Sequence, residues 1–165
     1  MRSRRYTHLT DLRWWLRLAT AMALVLGPMA AFAAFFRLGI NVSDCVPHRV
    51  FLMTRQAPAA LERGEFYAFD SRGAGPHFAD GTRMMKLLAG LPGDHIRVAE
   101  GRVSINGAPW GELPLADQAP APIERDEVIP AGHYVFLGTS PTSYDSRYWG
   151  YVQADQIRAK AWPLM

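Results

Sequence analysis

Residues 84–94 read Met84-Met85-Lys86-Leu87-Leu88-Ala89-Gly90-Leu91-Pro92-Gly93-Asp94. An apolar run of strand length, interrupted by Lys86, ends among glycines and a proline, which stop regular structure. The same pattern extends outward over residues 37–165, where short apolar runs are punctuated by proline and glycine. Arg49–Thr54 and Phe66–Phe69 are expected strands before this run. Ile96–Val98 and Arg102–Ile105 are expected after it, flanking Glu100-Gly101, and Asn106-Gly107 is a strong tight-turn signal. Tyr134–Leu137 is entered through Pro130-Ala131-Gly132, and a near-terminal strand includes Ala159–Trp162. Residues 111–127, rich in proline, alanine and acid, read as a surface loop. There is no internal repeat and no long amphipathic helix. The expected class is mainly β, a small antiparallel barrel or sandwich-like domain.

Charge and hydropathy set the N-terminal part aside. The 165 residues carry a net charge of +3, but residues 1–17 hold five arginines and one aspartate, while residues 18–165 hold thirteen Lys/Arg and fourteen Asp/Glu. The basicity is a tail of +4 on a body of −1, which argues against a nucleic-acid-binding surface. From Leu18 to Phe36 no residue is charged, enough to cross the hydrocarbon core as a helix. Trp14 and Trp15 sit where an aromatic belt would lie, and the arginines before the run place the tail in the cytoplasm by the positive-inside rule. The expected organisation is a cytoplasmic basic tail (1–17), a single transmembrane anchor (18–36) and a domain on the far side (37–165). A cleaved leader ending at Ala31-Phe32-Ala33 is the competing reading, and the run is long for one. One cysteine and five scattered histidines without an H-x-x-x-H pair give no metal-ligand pattern, and no cofactor is expected.

Three segments carry reactive groups in unusual settings. Lys86 lies among methionines and leucines; burial there disfavours the ammonium and would make a general base, unless the side chain snorkels from a strand edge. In Asn41-Val42-Ser43-Asp44-Cys45-Val46-Pro47, Cys45 is a nucleophile or a small buried hydrophobe, and Ser43 an oxyanion donor or a turn residue. In Ser143-Tyr144-Asp145-Ser146-Arg147-Tyr148-Trp149-Gly150, Asp145 and Arg147 form an ion pair that fixes a loop, or a solvated surface pair.

Taken together and in this order, the segments resemble the S26 family of membrane-anchored signal peptidases, which use a Ser/Lys dyad. The resemblance runs over most of the chain after residue 15: an anchor, a nucleophile box, a lysine strand ending in L-P-G-D, a hairpin, and S-x-D-S-R-x-x-G near the C-terminus. It implies a mainly antiparallel β domain resting on the membrane. It also implies Lys86 as general base, Ser43 as oxyanion donor, Ser143 as a hydroxyl orienting the lysine, and Asp145 with Arg147 as supports. The first box resembles the N-x-[ST]-x-S-x-P of the conjugative-transfer, TraF-type branch. That implies an enzyme of the bacterial inner membrane, single-pass with its catalytic domain in the periplasm, whose partners are leader-bearing, pilin-like precursors.

The sequence departs from the family at Cys45, where a nucleophilic serine is expected. A natural thiol nucleophile, an introduced substitution and a lost activity are all open. A thiol needs less activation than a hydroxyl, so Cys45 and Lys86 remain chemically competent. Arg49 stands where the branch has glycine, and Leu87 where many members have arginine. Three other classes compete: a Cys–His hydrolase using His95 or His133, a sorting-type transpeptidase, and a membrane-tethered β module that binds exported proteins without cutting them.

Overall fold

The computed structural model describes residues 12–100, 102–110, 121–140 and 142–165. Expectations for residues 1–11, for Gly101 and for 111–120 of the expected loop lie outside the described residues. The chain divides between Phe36 and Arg37 into two units.

The first unit holds helix α1, Leu12–Phe35, which buries none of its side chains and is long and apolar enough to cross a membrane. Its 24 residues extend roughly 36 Å at 1.5 Å per residue, against about 30 Å of hydrocarbon. The helix begins before the charge-free run, taking in Trp14, Trp15 and Arg17, and keeps Pro28 in its interior. Phe36, the last residue of that run, opens a strand instead.

The second unit is mainly β, as its punctuation implies. In chain order the strands are β1 (Phe36–Ile40), β2 (Val50–Thr54), β3 (Phe66–Asp70), β4 (Arg83–Gly90), β5 (His95–Ala99), β6 (Arg102–Ile105), β7 (Ala108–Pro109), β8 (Arg125–Val128), β9 (His133–Leu137), β10 (Val152–Gln153) and β11 (Ile157–Pro163), with a one-turn helix α2 (Ser146–Trp149) before β10. A seven-stranded sheet has the order β1-β2-β11-β3-β4-β9-β10, and a four-stranded sheet the order β7-β6-β5-β8. The pairings of β3 with β4, of β4 with β9 and of β5 with β6 are antiparallel. Four strands, β1, β7, β8 and β10, were not among those expected, the two-residue β7 and β10 being short edge strands. β8 lies partly inside the expected loop 111–127, because Arg125–Val128 finds β5 as a partner, Arg97 lying opposite Asp126. β1 was hidden because its first residue, Phe36, belongs to the charge-free run read as the anchor.

Strand β4 positions the chemistry. Met84, Lys86 and Leu88 share its buried side by the two-residue period of a strand, and Lys86 lies opposite Tyr67 of β3. Asp70 at the end of β3 accepts from Arg83 of β4 and, at 2.7 Å, from Arg158 of β11, so one carboxylate ties three strands. Burial pushes the Asp70 carboxyl up, but hydrogen bonds from the two guanidiniums outweigh this and hold it below its ordinary range. β4 is closed off by the L-P-G-D turn. There Asp94 accepts from the Leu91 amide and the Arg63 guanidinium, both at 2.6 Å, and from the Asn106 amide at 2.9 Å. Asn106-Gly107 makes the expected tight turn, both residues having positive φ (53° and 79°).

Candidate active site

The loop between β1 and β2 is shaped by one side chain. Asn41 is buried, and its Nδ2 donates to the carbonyls of Ser43 (2.7 Å), His48 (3.1 Å) and Val46 (3.4 Å). Its Oδ1 accepts from the Ser43 amide (3.2 Å) and the Ser43 hydroxyl (2.8 Å). An asparagine can satisfy donors and acceptors of a curled backbone at once, as few side chains can. The loop is anchored at its turn by the Thr139 amide, which donates to the Cys45 carbonyl at 2.9 Å.

The last box builds a buried corner behind it. Asp145 is fully buried and Arg147 is 1% exposed. Asp145 accepts from Arg147 Nε (2.8 Å) and Nη2 (2.9 Å), and from the backbone amides of Arg147 (3.2 Å) and Gly138 (2.9 Å). Arg147 Nη2 also donates to the Ser143 carbonyl at 2.9 Å. The pair is therefore the loop-fixing one of the two readings, and not a solvated surface pair. Gly138 is required by space: a Cβ there would stand 2.0 Å from Ser143 Oγ and 2.8 Å from the Cys45 carbonyl.

Strand, loop and corner meet at Lys86. It is 3% exposed, and its Nζ donates to Ser143 Oγ at 2.8 Å. Lys86, Ser43 and Ser143 are the polar groups beside the Cys45 thiol. Burial pushes that thiol up, but the charge of Lys86 and these polar neighbours outweigh it, so the thiol lies below its ordinary value. The four residues lie together, with Asp145 and Arg147 behind Ser143. Cys45, Ser43 and Lys86 line a cleft of about 410 Å³ whose walls include Met53, Ala68 and Met85.

The histidines of the competing hydrolase lie elsewhere. His95 Nε2 is 2.8 Å from Asp126 in the small sheet, and the His133 ring meets the Ala131 carbonyl at 3.0 Å. No histidine is among the described residues lining the cleft, so the Cys–His reading has no base at Cys45. Of the residues given no role from sequence, Asn41 and Gly138 shape the site, and Tyr144 lines the cleft while stacking on Phe78 and Tyr148. Asn41 could have been found as the first letter of its box; Gly138 and Tyr144 carried no separate signal.

The family described as signal peptidase, peptidase S26, matches residues 12–165. A probable signal peptidase I-2 of Synechocystis is 37% identical over 111 residues, which are 62% of this chain and 49% of that protein. A signal peptidase I of Leptolyngbya laminosa is 38% identical over 86 residues, 48% of this chain and 41% of the other. The chain thus spans half or less of the length of these curated relatives. A crystal structure of a signal peptidase I from Enterococcus faecalis aligns with a TM-score of 0.40 at 26% identity, over 59% of this chain and 93% of that one.

Proposed function

Since this chain belongs to the peptidase S26 family of signal peptidases, we propose that it is a membrane-anchored endopeptidase that removes leader peptides from exported proteins. The observation that carries the reading is the meeting of Cys45, Lys86 and Ser43 in one cleft, with buried Ser143 bonded to Lys86 and the thiol held below its ordinary pKa. Cys45 attacks the scissile carbonyl carbon as a thiolate, its proton already held on the Lys86 ammonium. The Cys45 backbone N–H and the Ser43 hydroxyl stabilise the tetrahedral oxyanion. The Ser43 proton is given to Asn41 Oδ1 at 2.8 Å, so serving the oxyanion requires that hydroxyl to turn. Lys86 then protonates the leaving amine and a thioester remains. A water deprotonated by Lys86 attacks the thioester, the C–S bond breaks, and the acid leaves with the Cys45 thiolate restored beside the Lys86 ammonium. Ser143 positions the lysine, and Asp145 with Arg147 holds Ser143.

Helix α1 serves as the single anchor, with the basic tail in the cytoplasm and residues 37–165 in the periplasm. A reporter fused after Met165 should be active only in the exported compartment. The narrower reading is that the precursors are pilin-like proteins of a conjugative transfer system. It is supported by the N-x-S-x-C-x-P box, whose asparagine makes five hydrogen bonds to its own loop.

The test is co-expression of candidate precursors with the parent, Cys45→Ser and Cys45→Ala forms. Processing by the parent and not by Cys45→Ala supports a thiol nucleophile. Processing by Cys45→Ser alone makes this chain a silenced serine peptidase. Equal processing by all three removes residue 45 from the chemistry. No processing by any leaves the tethered binding module.

A further inference from the structure

The cleft is cationic in an unbalanced way. Arg37, Arg83 and Lys86 line it, and no aspartate or glutamate does among the described residues. Two of these cations have anionic company: Arg83 is held by Asp70, and Lys86 faces the Cys45 thiol. Arg37 has none. Its Nε is walled off from solvent without a hydrogen-bond partner. A desolvated guanidinium edge with no acceptor is costly, and a carboxylate is the group that its planar fork matches best. Arg37 opens the wall formed by β1, which runs on to Asn41 and the Cys45 loop. Four residues of extended chain separate Arg37 from Asn41, the residue that shapes the Cys45 loop, roughly 13 Å, so a peptide lying along β1 with its scissile bond over that loop would place a side chain about four residues from the cut beside Arg37.

We propose that Arg37 is a specificity-determining residue that selects peptides carrying an aspartate or glutamate about four residues from the scissile bond. The inference rests on the endopeptidase reading for its biological meaning, but binding can be measured without turnover. Arg37 also lies two residues past the end of α1, so lipid phosphate is the competing anion. The peptide is favoured because Arg37 shares a wall with Ser43 and Cys45 and has its Nε out of water.

The experiment uses the full chain with Cys45→Ala in an uncharged detergent. A fluorescein-labelled, alanine-rich peptide series, with Asp walked through successive positions against Asn, is titrated by anisotropy. At one position three to five residues from the intended cut, Asp should bind roughly tenfold tighter than Asn, as a charge-assisted bidentate contact would give. Arg37→Gln should bring that ratio to about one, Arg37→Lys should retain part of it, and Arg37→Glu should turn the preference towards Lys. Absence of an Asp preference at every position overturns the proposal, as does an undiminished ratio in Arg37→Gln. If Arg37→Gln leaves the ratio intact and weakens binding to phosphatidylglycerol vesicles, Arg37 reads lipid phosphate and the proposal fails. Cleavage by the parent chain is read in parallel. Uncut peptides with the Asp preference intact sink the endopeptidase reading alone; cut peptides without the preference sink the role of Arg37 alone.

Discussion

The two halves of the site are built in opposite ways. Cys45 and Ser43 sit on a loop at the surface, curled around the single amide of Asn41. Lys86 and Ser143 sit in the interior, on a central strand and against a buried ion pair. The buried half takes its geometry from close packing and from charges without access to water. The exposed half takes its geometry from a few hydrogen bonds that water competes for. Substitutions in the first half should therefore act on folding and chemistry together, and those in the second mainly on chemistry.

The largest break in this comparison is Lys86→Met, which keeps the buried volume and removes the proposed base. Precursor processing should fall by roughly 10²- to 10⁴-fold, measured by single-turnover cleavage. The same variant sharpens the account of the thiol. In the parent, the midpoint of the pH–rate curve for alkylation of Cys45 should lie below that of an ordinary thiol, because the Lys86 charge favours the thiolate. Without that charge, burial acts against a weaker set of polar neighbours, and the midpoint should move up. An unmoved midpoint would separate the loop from the strand.

Next comes Asp145→Asn, which leaves Arg147 charged and buried without a counter-ion. Unfolding by denaturant should show a loss of about 3–5 kcal/mol. A loss below about 1 kcal/mol would mean that the corner is wetter than its burial implies. Gly138→Ala should cost about 1–3 kcal/mol through overpacking. It should lower processing by more than stability alone explains, since the new methyl displaces Ser143 and the Cys45 carbonyl together. The smallest pair of effects lies in the exposed half. Asn41→Ala should cost about 1–2 kcal/mol while sharply slowing alkylation of Cys45. Arg49→Ala, at a guanidinium 3.2 Å from Asp44 with both side chains exposed, should change stability by less than about 0.5 kcal/mol.

Much of this was readable before any coordinates, and the unread part has physical causes. The strand at residues 84–88 and the turn at Asn106-Gly107 announce themselves because period and turn chemistry are local properties. Which face of β4 is buried is not local, so Lys86 could have snorkelled instead. The i, i+2 spacing of Asp145 and Arg147 allowed a surface pair as readily as a buried one. What decided it was the amide of Gly138, brought in from another segment to complete the shell of Asp145. β8 was unreadable for a similar reason: Arg-Asp-Glu-Val has no apolar alternation, and only the edge of β5 makes it a strand. Gly138 looked like ordinary strand-end punctuation because nothing in the sequence says that the Cys45 carbonyl and the Ser143 side chain converge on it.

The hydrogen bonds that Asn41 makes run to backbone groups and to the Ser43 hydroxyl, and none to the side chain at position 45. The tie to Thr139 likewise uses the Cys45 carbonyl. The loop is thus a socket whose shape does not depend on what is plugged into it. An exchange of oxygen for sulfur at that position would change the proposed nucleophile and leave the mounting as it was. A lineage could pass from a hydroxyl to a thiol nucleophile by one codon change, without an unfolded intermediate and without compensating changes in the surrounding strands.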